Sequence, residues 1–269
     1  MKVVILCGGQ GTRLREETEY KPKPMVEIGG RPILWHIMQI YHRCGFNEFV
    51  LALGYKGDTI KEYFLNYRYM NSDFTIELGD GVVTTHCDDT TEHNWSVTLV
   101  DTGQDALKGA RIARVRRYLD GDRFMVTYGD GVADVDLRRL LTFHEQAGTT
   151  GTFTGVRMPS RFGAVQTDED GRIRSWKEKP LLEDYINGGF FVFERSFLDY
   201  LSEDEECELE QEPLERLAAE GQLSMYRHDG FWHCMDTYRD YLHLNELWES
   251  GQARWPPAAS AGLESRVEP

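Results

Sequence analysis

The chain begins MKVVILCGGQGTRL, and this stretch constrains the fold more than any other. VVILC is an unbroken apolar run, as a strand covered on both faces in a parallel sheet requires. It stops at Gly8, Gly9 and Gly11, whose backbones can take angles closed to other residues and whose amide N–H groups can point into a common space. A buried strand running straight into an anion-holding loop needs helices to cover it, and the rest of the chain supplies them.

Pro32 can occupy the first turn of a helix in which Ile33, Ile37, Ile40, Tyr41 and Cys44 repeat at helical spacing, with Gly45 as the stop. A strand starts at Phe49, a helix runs around Ile60 to Tyr67, a strand starts at Ser96, a helix covers Ala106 to Leu119, and a strand ends at Tyr128. This βαβ alternation predicts an α/β fold with a Rossmann-like, mixed but mostly parallel central sheet and helices on both faces. DFTIELGDGVVTTH reads as an inserted hairpin. From Thr149 two extended runs flank a DEDG turn and INGGFFVFE follows, which predicts antiparallel or mixed additions to the sheet that build the far wall of a site. Helices are expected near Leu209 to Glu220 and Tyr238 to Ser250. Residues 1–255 are read as one domain, and the small, polar, Pro-containing stretch 256–269 as a frayed tail.

Thirty Lys and Arg against forty-five Asp and Glu give a formal charge of −15, which repels nucleic acid and anionic membrane over most of a surface. Neither partner is expected. A small anionic substrate stays compatible, because charges beyond roughly 8 Å are screened at physiological salt and a local group of Arg and Lys can override the global sign. VVILC is too short for the apolar region of a signal peptide or for a membrane span, so no secretion or insertion is expected. Cys7, Cys44, Cys87, Cys207 and Cys234 form no CxxC pair and fit a reduced, cytosolic compartment. The histidines give no metal cluster: His36 and His42 share an amphipathic helix without an i, i+4 partner, and His228 and His233 have only Cys234 as a neighbour of ligand type.

Two familiar nucleotide loops fail. Gly11-Thr12-Arg13-Leu14 lacks the Lys and hydroxyl that close a GxxxxGK[ST] loop. A dinucleotide loop GxGxxG matches at Gly9 and Gly11 but finds Leu14 in place of the third glycine, and FVLALGYKG has no acidic residue at its strand end. What remains is GGxGTRL after an N-terminal strand, with Lys-Pro-Lys-Pro-Met about ten residues on. This pair resembles the sugar-1-phosphate nucleotidylyltransferases, the nucleotide-sugar pyrophosphorylases. TYGDGVADVD, WKEKP and GFWHCMDT extend the likeness over roughly residues 1–255. NWSVTLVDTG, YGDGVADVDL, RFGA, INGGFFVF, EQEPLERLA and GFWHCMDT are together similar to the branch that uses CTP and glucose 1-phosphate. No single residue separates cytosine from uracil or thymine, so UTP or dTTP, or another phosphate acceptor, stay open. A catalytically silent nucleotide-sugar-binding subunit also stays open, and the joint presence of Arg13, Lys23, Asp130, Lys179 and Asp236 stands against it.

The resemblance implies a nucleotide-diphospho-sugar transferase fold, GT-A-like, with a nucleotide-binding part over about 1–148 and a sugar-phosphate-binding and C-terminal part over about 149–255. It implies that Leu6, Cys7, Gly8, Gly9, Gln10, Gly11, Thr12, Arg13, Lys23, Arg111 and Gly129 hold the nucleotide, that Gly163, Glu178, Lys179 and Asn187 lie at the sugar phosphate, and that Asp130 and Asp236 bind Mg2+. Cys7 stands where alanine is commoner. Arg13, Lys23, Asp130 and Lys179 carry the catalytic expectation. A phosphate oxygen is already a nucleophile at neutral pH, so joining it to a triphosphate demands charge neutralisation and alignment rather than a Ser, Cys or His intermediate. Asp236, just ahead of Thr237 and a helical pattern, also reads as an N-cap. The family's symmetric assemblies imply a homo-oligomer, with KEYFLNYRYM as a contact.

Overall fold

In a computed structural model that describes residues 1–9, 11–86, 94–160 and 162–255, with the backbone alone at 12, 15 and 16, β1 (Lys2–Cys7) lies at the centre of the sheet. Gln10, Cys87 and the tail expected over 256–269 fall outside the described residues. Successive side chains of a strand point to opposite faces. Val3, Ile5 and Cys7 therefore enter one core cluster and Val4 and Leu6 another, which is why the run is apolar throughout. The first cluster takes α1 (Ile33–Arg43) through Ile33, Leu34, Ile37, Ile40 and Tyr41, with Pro32 as the N-cap.

Besides a two-residue ribbon of Glu27–Ile28 with Arg31–Pro32, the further strands are β2 (Glu48–Leu53), β3 (Asp73–Glu77), β4 (Val82–His86), β5 (Ser96–Asp101), β6 (Arg123–Tyr128), β7 (Gly131–Ala133), β8 (Gly151–Val156), β9 (Ala164–Thr167), β10 (Ile173–Lys177), β11 (Ile186–Asn187), β12 (Phe191–Glu194), β13 (Leu223–His228) and β14 (Trp232–Cys234). The central sheet runs β11-β8-β12-β6-β1-β2-β5, with β13 also on β8. β5, β2, β1 and β6 are parallel, β12 is antiparallel to β6 and to β8, and β13 is parallel to β8. The mixed, mostly parallel sheet expected from the sequence is present. So is the hairpin, as β3 and β4, with Phe74, Ile76 and Leu78 exposed along it.

The helices are α2 (Gly57–Leu65), α3 (Lys108–Arg114), α4 (Leu137–Ala147), α5 (Glu212–Ala219) and α6 (Tyr238–Glu249), besides α1 and shorter turns. Two expectations are corrected, and one helix is added. α3 is shorter than Ala106–Leu119, because the Leu107 N–H donates outward to the Glu205 carbonyl (2.8 Å) and a 3-10 turn, Arg116–Tyr118, follows Val115. β9 and β10 do not extend the central sheet but pair only with each other, and their side chains, Val165, Ile173 and Trp176 included, stay largely exposed. α4 was not anticipated, although Asp136 caps it by accepting from the Arg138 and Arg139 N–H groups and Gly148 closes it at φ +63°. Among the described residues no helix is long and apolar enough to cross a membrane, and Cys7, Cys44, Cys207 and Cys234 are free thiols.

Candidate active site

The carboxyl ends of β1 and β6, neighbours in the sheet, open into a cleft of about 360 Å3. Leu6, Gly8, Gly9, Gly11 and Arg13 line it from β1 and the glycine loop, Tyr128, Gly129 and Asp130 from the end of β6 as its floor, and Lys23, Ala106, Leu107, Lys108, Glu208 and Asp236 from the segments around them. The glycine loop is stitched by Thr18, whose buried hydroxyl meets the carbonyls of Gly11 (3.0 Å) and Leu14 (2.8 Å). Gly11 takes φ +63°, and a Cβ there would come within 3.0 Å of Thr18. Gly129 is needed for space: a Cβ would sit 2.6 Å from the Leu6 carbonyl oxygen.

Two acids 106 residues apart in the chain are joined by a short ladder. β14 pairs antiparallel with β7, placing Cys234 opposite Gly131, and the Met235 N–H donates to the Asp130 carbonyl (2.8 Å). This register makes Asp130 and Asp236 diagonal neighbours. Lys23, held in a 3-10 turn between Pro22 and Pro24, reaches between them: its Nζ donates to Asp130 Oδ2 (2.6 Å) and Asp236 Oδ1 (2.7 Å). Arg13 Nη2 donates to the same Asp236 oxygen (3.1 Å). Burial opposes the charge of Lys23, yet the two carboxylates outweigh it and raise its pKa above the ordinary lysine value. Asp236 is the mirror case: burial would raise its pKa, and the Lys23 hydrogen bond and charge, then Arg13, hold it below the usual range. The expectation that Asp236 caps the last helix is corrected. Thr237 caps α6 in a reciprocal box with Asp240, which leaves the Asp236 carboxylate for the cleft.

The donor set fits Mg2+. Asp130 Oδ2 and Asp236 Oδ1 already converge on one cationic point, the Lys23 ammonium, within 2.7 Å. Among the described residues no group of three or more His, Cys, Asp or Glu side chains forms a metal cage. Two carboxylates with room for water and substrate oxygens is the usual protein share of magnesium coordination.

Arg111 lines the cleft but spends its guanidinium on the fold. It donates to the carbonyls of Leu53 (3.0 Å), Gly103 (2.7 Å), Gly8 (3.1 Å) and Gln104 (3.0 Å) and to Thr102 Oγ1 (2.8 Å), tying together the chain at the ends of β1, β2 and β5. A Cβ on Gly8 would lie 2.1 Å from its Cζ, so only bare backbone fits there. Cys7 is fully buried and turns into the core, and its thiol is pushed up by burial, away from any ionised role.

On the acceptor side the gathering is partial. Asn187 does not itself line the cleft but donates from Nδ2 to the hydroxyl of Tyr128 (2.8 Å), which does. Glu178 lies beside Gly163, where a Cβ would be 3.1 Å from its Oε2. Lys179 is exposed, in left-handed backbone at φ +45° immediately before Pro180. None of Gly163, Glu178, Lys179 and Asn187 lines the cleft. Sequence reasoning missed Lys108, Tyr128, Glu208 and Glu210. Lys108 Nζ lies 3.1 Å from both Glu208 Oε1 and Glu210 Oε2, and the Tyr128 hydroxyl donates to Glu210 Oε1 (2.6 Å). Burial opposes the charge of Glu210, but its hydrogen bonds from Glu208 and Tyr128, with Lys108 beside it, keep its pKa below the ordinary value. The strand-end Tyr-Gly-Asp was the available signal for Tyr128; nothing local marks Glu208 or Glu210 as cleft residues, because a long-range contact brings them there.

A glycine loop, a paired-acid site and a cleft at parallel strand ends define a phosphate-transferring α/β protein, and residues 2–251 match the nucleotidyl transferase family: the chain belongs to it. Among its relatives, the glucose-1-phosphate cytidylyltransferase of Salmonella typhi is 48% identical over 257 residues, covering 95% of this chain and 98% of that protein. The mannose-1-phosphate guanylyltransferase of Mycobacterium tuberculosis is 32% identical over 245 residues, covering 89% of this chain and 62% of that protein. The crystal structure of HddC from Yersinia pseudotuberculosis superposes with a TM-score of 0.67 at 23% identity, covering 92% and 99% of the two chains, a likeness of fold.

Proposed function

We propose that this chain transfers the cytidylyl group of CTP to α-D-glucose 1-phosphate, forming CDP-glucose and pyrophosphate, with Mg2+ at Asp130 and Asp236. The observation that carries the reading is the 48% identity, along nearly the full length of both chains, to a glucose-1-phosphate cytidylyltransferase. The grouping of Lys23, Arg13, Asp130 and Asp236 at one end of the cleft supports it.

A phosphate oxygen of the sugar phosphate attacks the α-phosphorus of CTP, and the bond to the bridging oxygen of pyrophosphate breaks. Both reactants are polyanions, so the barrier is repulsion and misalignment. The amides of Gly8, Gly9 and Gly11 receive the triphosphate, and Arg13, with most of its side chain exposed at the mouth, meets the charge that collects on the departing phosphates. Lys23 exchanges part of its contact with the acids for the α-phosphate and the incoming oxygen. Lys179 anchors the attacking phosphate, with Glu178, Gly163 and Asn187 at the sugar. Asp130 and Asp236 hold the metal, which when bound offsets phosphate charge and polarises phosphoryl oxygens. The reading includes a homo-oligomer with the Tyr/Phe-rich segment 61–70 at a contact, tested by mass in light scattering; a monomer would refute that part.

Pyrophosphate release with Mg2+ and glucose 1-phosphate, compared across CTP, UTP, dTTP, ATP and GTP with the product identified by mass, tests the whole. A strong preference for CTP is expected. Preference for another triphosphate would overturn the base assignment while leaving the phosphoryl chemistry, and release with none would overturn the function.

A further inference from the structure

The network behind the cleft floor has a direction that its chemistry fixes. Ionised Glu210 can only accept, so the Tyr128 proton is committed to Glu210 Oε1 (2.6 Å). The Tyr128 oxygen then shows its lone pairs to Asn187, which must answer with its NH2, and it does so at 2.8 Å. The other end of the amide is pinned as well: Asn187 Oδ1 accepts from the Gly189 N–H (2.9 Å). A flipped amide would set N–H against N–H at Gly189. The backbone of this segment is moulded on the same ring. Gly189 takes φ +77°, where a Cβ would come within 3.0 Å of Tyr128, and Trp232 Nε1 donates to the Gly188 carbonyl (2.7 Å).

Once both ends are engaged, the Asn187 amide has one N–H and one lone pair left, a donor and an acceptor side by side. That pair matches vicinal hydroxyls of a sugar, each of which can donate and accept. We infer that Tyr128 and Glu210 are positioning residues for acceptor recognition: Glu210 commits the Tyr128 proton, Tyr128 orients the Asn187 amide, and the amide reads the sugar hydroxyls in one polarity. The inference rests on Asn187 being at the sugar, as in the proposed function, and adds how its orientation is set. Lys108, which lines the cleft, lies 3.1 Å from Glu210 Oε2 and so touches the same network.

The test is steady-state kinetics on the full chain, with glucose 1-phosphate varied at saturating CTP and the reverse. Tyr128→Phe is expected to raise KM for glucose 1-phosphate about tenfold, the value of one hydrogen bond whose loss frees a polar partner, and to move KM for CTP less than about twofold. It should also narrow the preference for glucose 1-phosphate over galactose 1-phosphate. Asn187→Ala should show the larger loss, and the double variant Tyr128→Phe/Asn187→Ala should be no worse than Asn187→Ala alone, because Tyr128 acts only through the amide. Glu210→Gln, which leaves the tyrosine proton uncommitted, should give the same KM split and carries the test if Tyr128→Phe fails to fold. Equal rises in both KM values, or additive losses in the double variant, overturn the inference while leaving the proposed function standing. A wild-type protein inactive with CTP and every sugar phosphate overturns the proposed function, and this inference with it.

Discussion

Arg111→Met should destabilise the fold before it weakens nucleotide binding. The guanidinium donates to five oxygens, but the losses are unequal. The Leu53 carbonyl keeps the Thr102 N–H (3.0 Å) and hydroxyl (2.6 Å), and the Gly8 carbonyl keeps the Tyr55 N–H (3.3 Å). The part-buried carbonyls of Gly103 and Gln104 are the ones left short of a donor. Each orphaned group costs about 1–3 kcal/mol. Relief of a buried cation that has no carboxylate in direct contact offsets part of this, since burial already lowers the pKa of Arg111. A net loss of about 3 kcal/mol is expected, which for a chain of this size lowers Tm by roughly 6–12 °C. Arg111→Lys should recover little, because one ammonium cannot reach acceptors contributed by three strand ends. Thermal and urea unfolding, each with and without CTP, measure the effect. A stability loss under about 1 kcal/mol together with a KM for CTP raised tenfold or more would show that Arg111 is a ligand and not a staple.

Asp130→Asn should lower kcat by about 10² to 10³ at unchanged stability, since a neutral amide holds magnesium weakly and leaves Lys23 with one acid; near wild-type turnover would remove Asp130 from the site. Gly129→Ala forces a Cβ to 2.6 Å from the Leu6 carbonyl and 3.0 Å from Pro24, so a loss of about 1–3 kcal/mol is expected with a fall in kcat as Asp130 shifts, and a variant that melts like wild type refutes the packing argument. His36 is fully buried, its Nε2 on the Ile28 carbonyl (2.9 Å) and its Nδ1 accepting from Trp255 Nε1 (3.3 Å), and burial pushes its pKa down to about 4 from 6.5. Between those values the unfolded chain binds the proton and the folded one does not, so stability is whole above pH 6.5 and falls by about 3 kcal/mol as pH drops to 4. Urea unfolding across that window should show the slope in wild type and lose it in His36→Gln; a flat wild-type profile refutes the assignment.

Where a pattern was local, the sequence carried it. The unbroken apolar run of β1, the helical spacing of α1 and the Gly-Asp-Gly of the β3–β4 hairpin each report a neighbour on the same element or a cover on both faces. α4 has local signals of the same kind, an Asp cap, leucines at helical spacing and a closing glycine. The site was legible as a roster of charges but not as an arrangement. Nothing in YGDG or CMDT says that a three-residue ladder, β7 with β14, joins Asp130 to Asp236, or that Lys23 spans them. Arg111 shows the same limit from the other side. The family resemblance implies a nucleotide contact for it, and no local pattern announces that its bonds run to carbonyls whose positions depend on three separated strand ends. Glu208 and Glu210 sit in the acidic run SEDEECELEQE, whose composition is that of a solvated loop, and only the fold carries them back to Lys108 and Tyr128.

That arrangement resolves how a chain of formal charge −15 can bind two polyanions. Four cations, Arg13, Lys23, Lys108 and Arg111, and three carboxylates, Asp130, Asp236 and Glu208, line the cleft, so its local balance is reversed relative to the whole but only slightly. Most of that positive charge is committed: Lys23 to its two acids, Lys108 to Glu208 and Glu210. Arg111 alone among the four has no carboxylate in ion-pair contact among the described residues, and it lies buried under the glycine loop where water screens it least. Direct anion contact in the free protein therefore falls to the loop amides and to Arg13 at the mouth, with Arg111 adding unneutralised charge from beneath the loop rather than a ligand's hydrogen bonds. The committed charges serve a second purpose. By bridging Asp130 and Asp236, Lys23 keeps the two carboxylates close together, and a divalent cation entering there brings two further positive charges to the end of the cleft where phosphates meet. Under the proposed function, the acids that make the protein negative are thus part of what lets it hold a triphosphate.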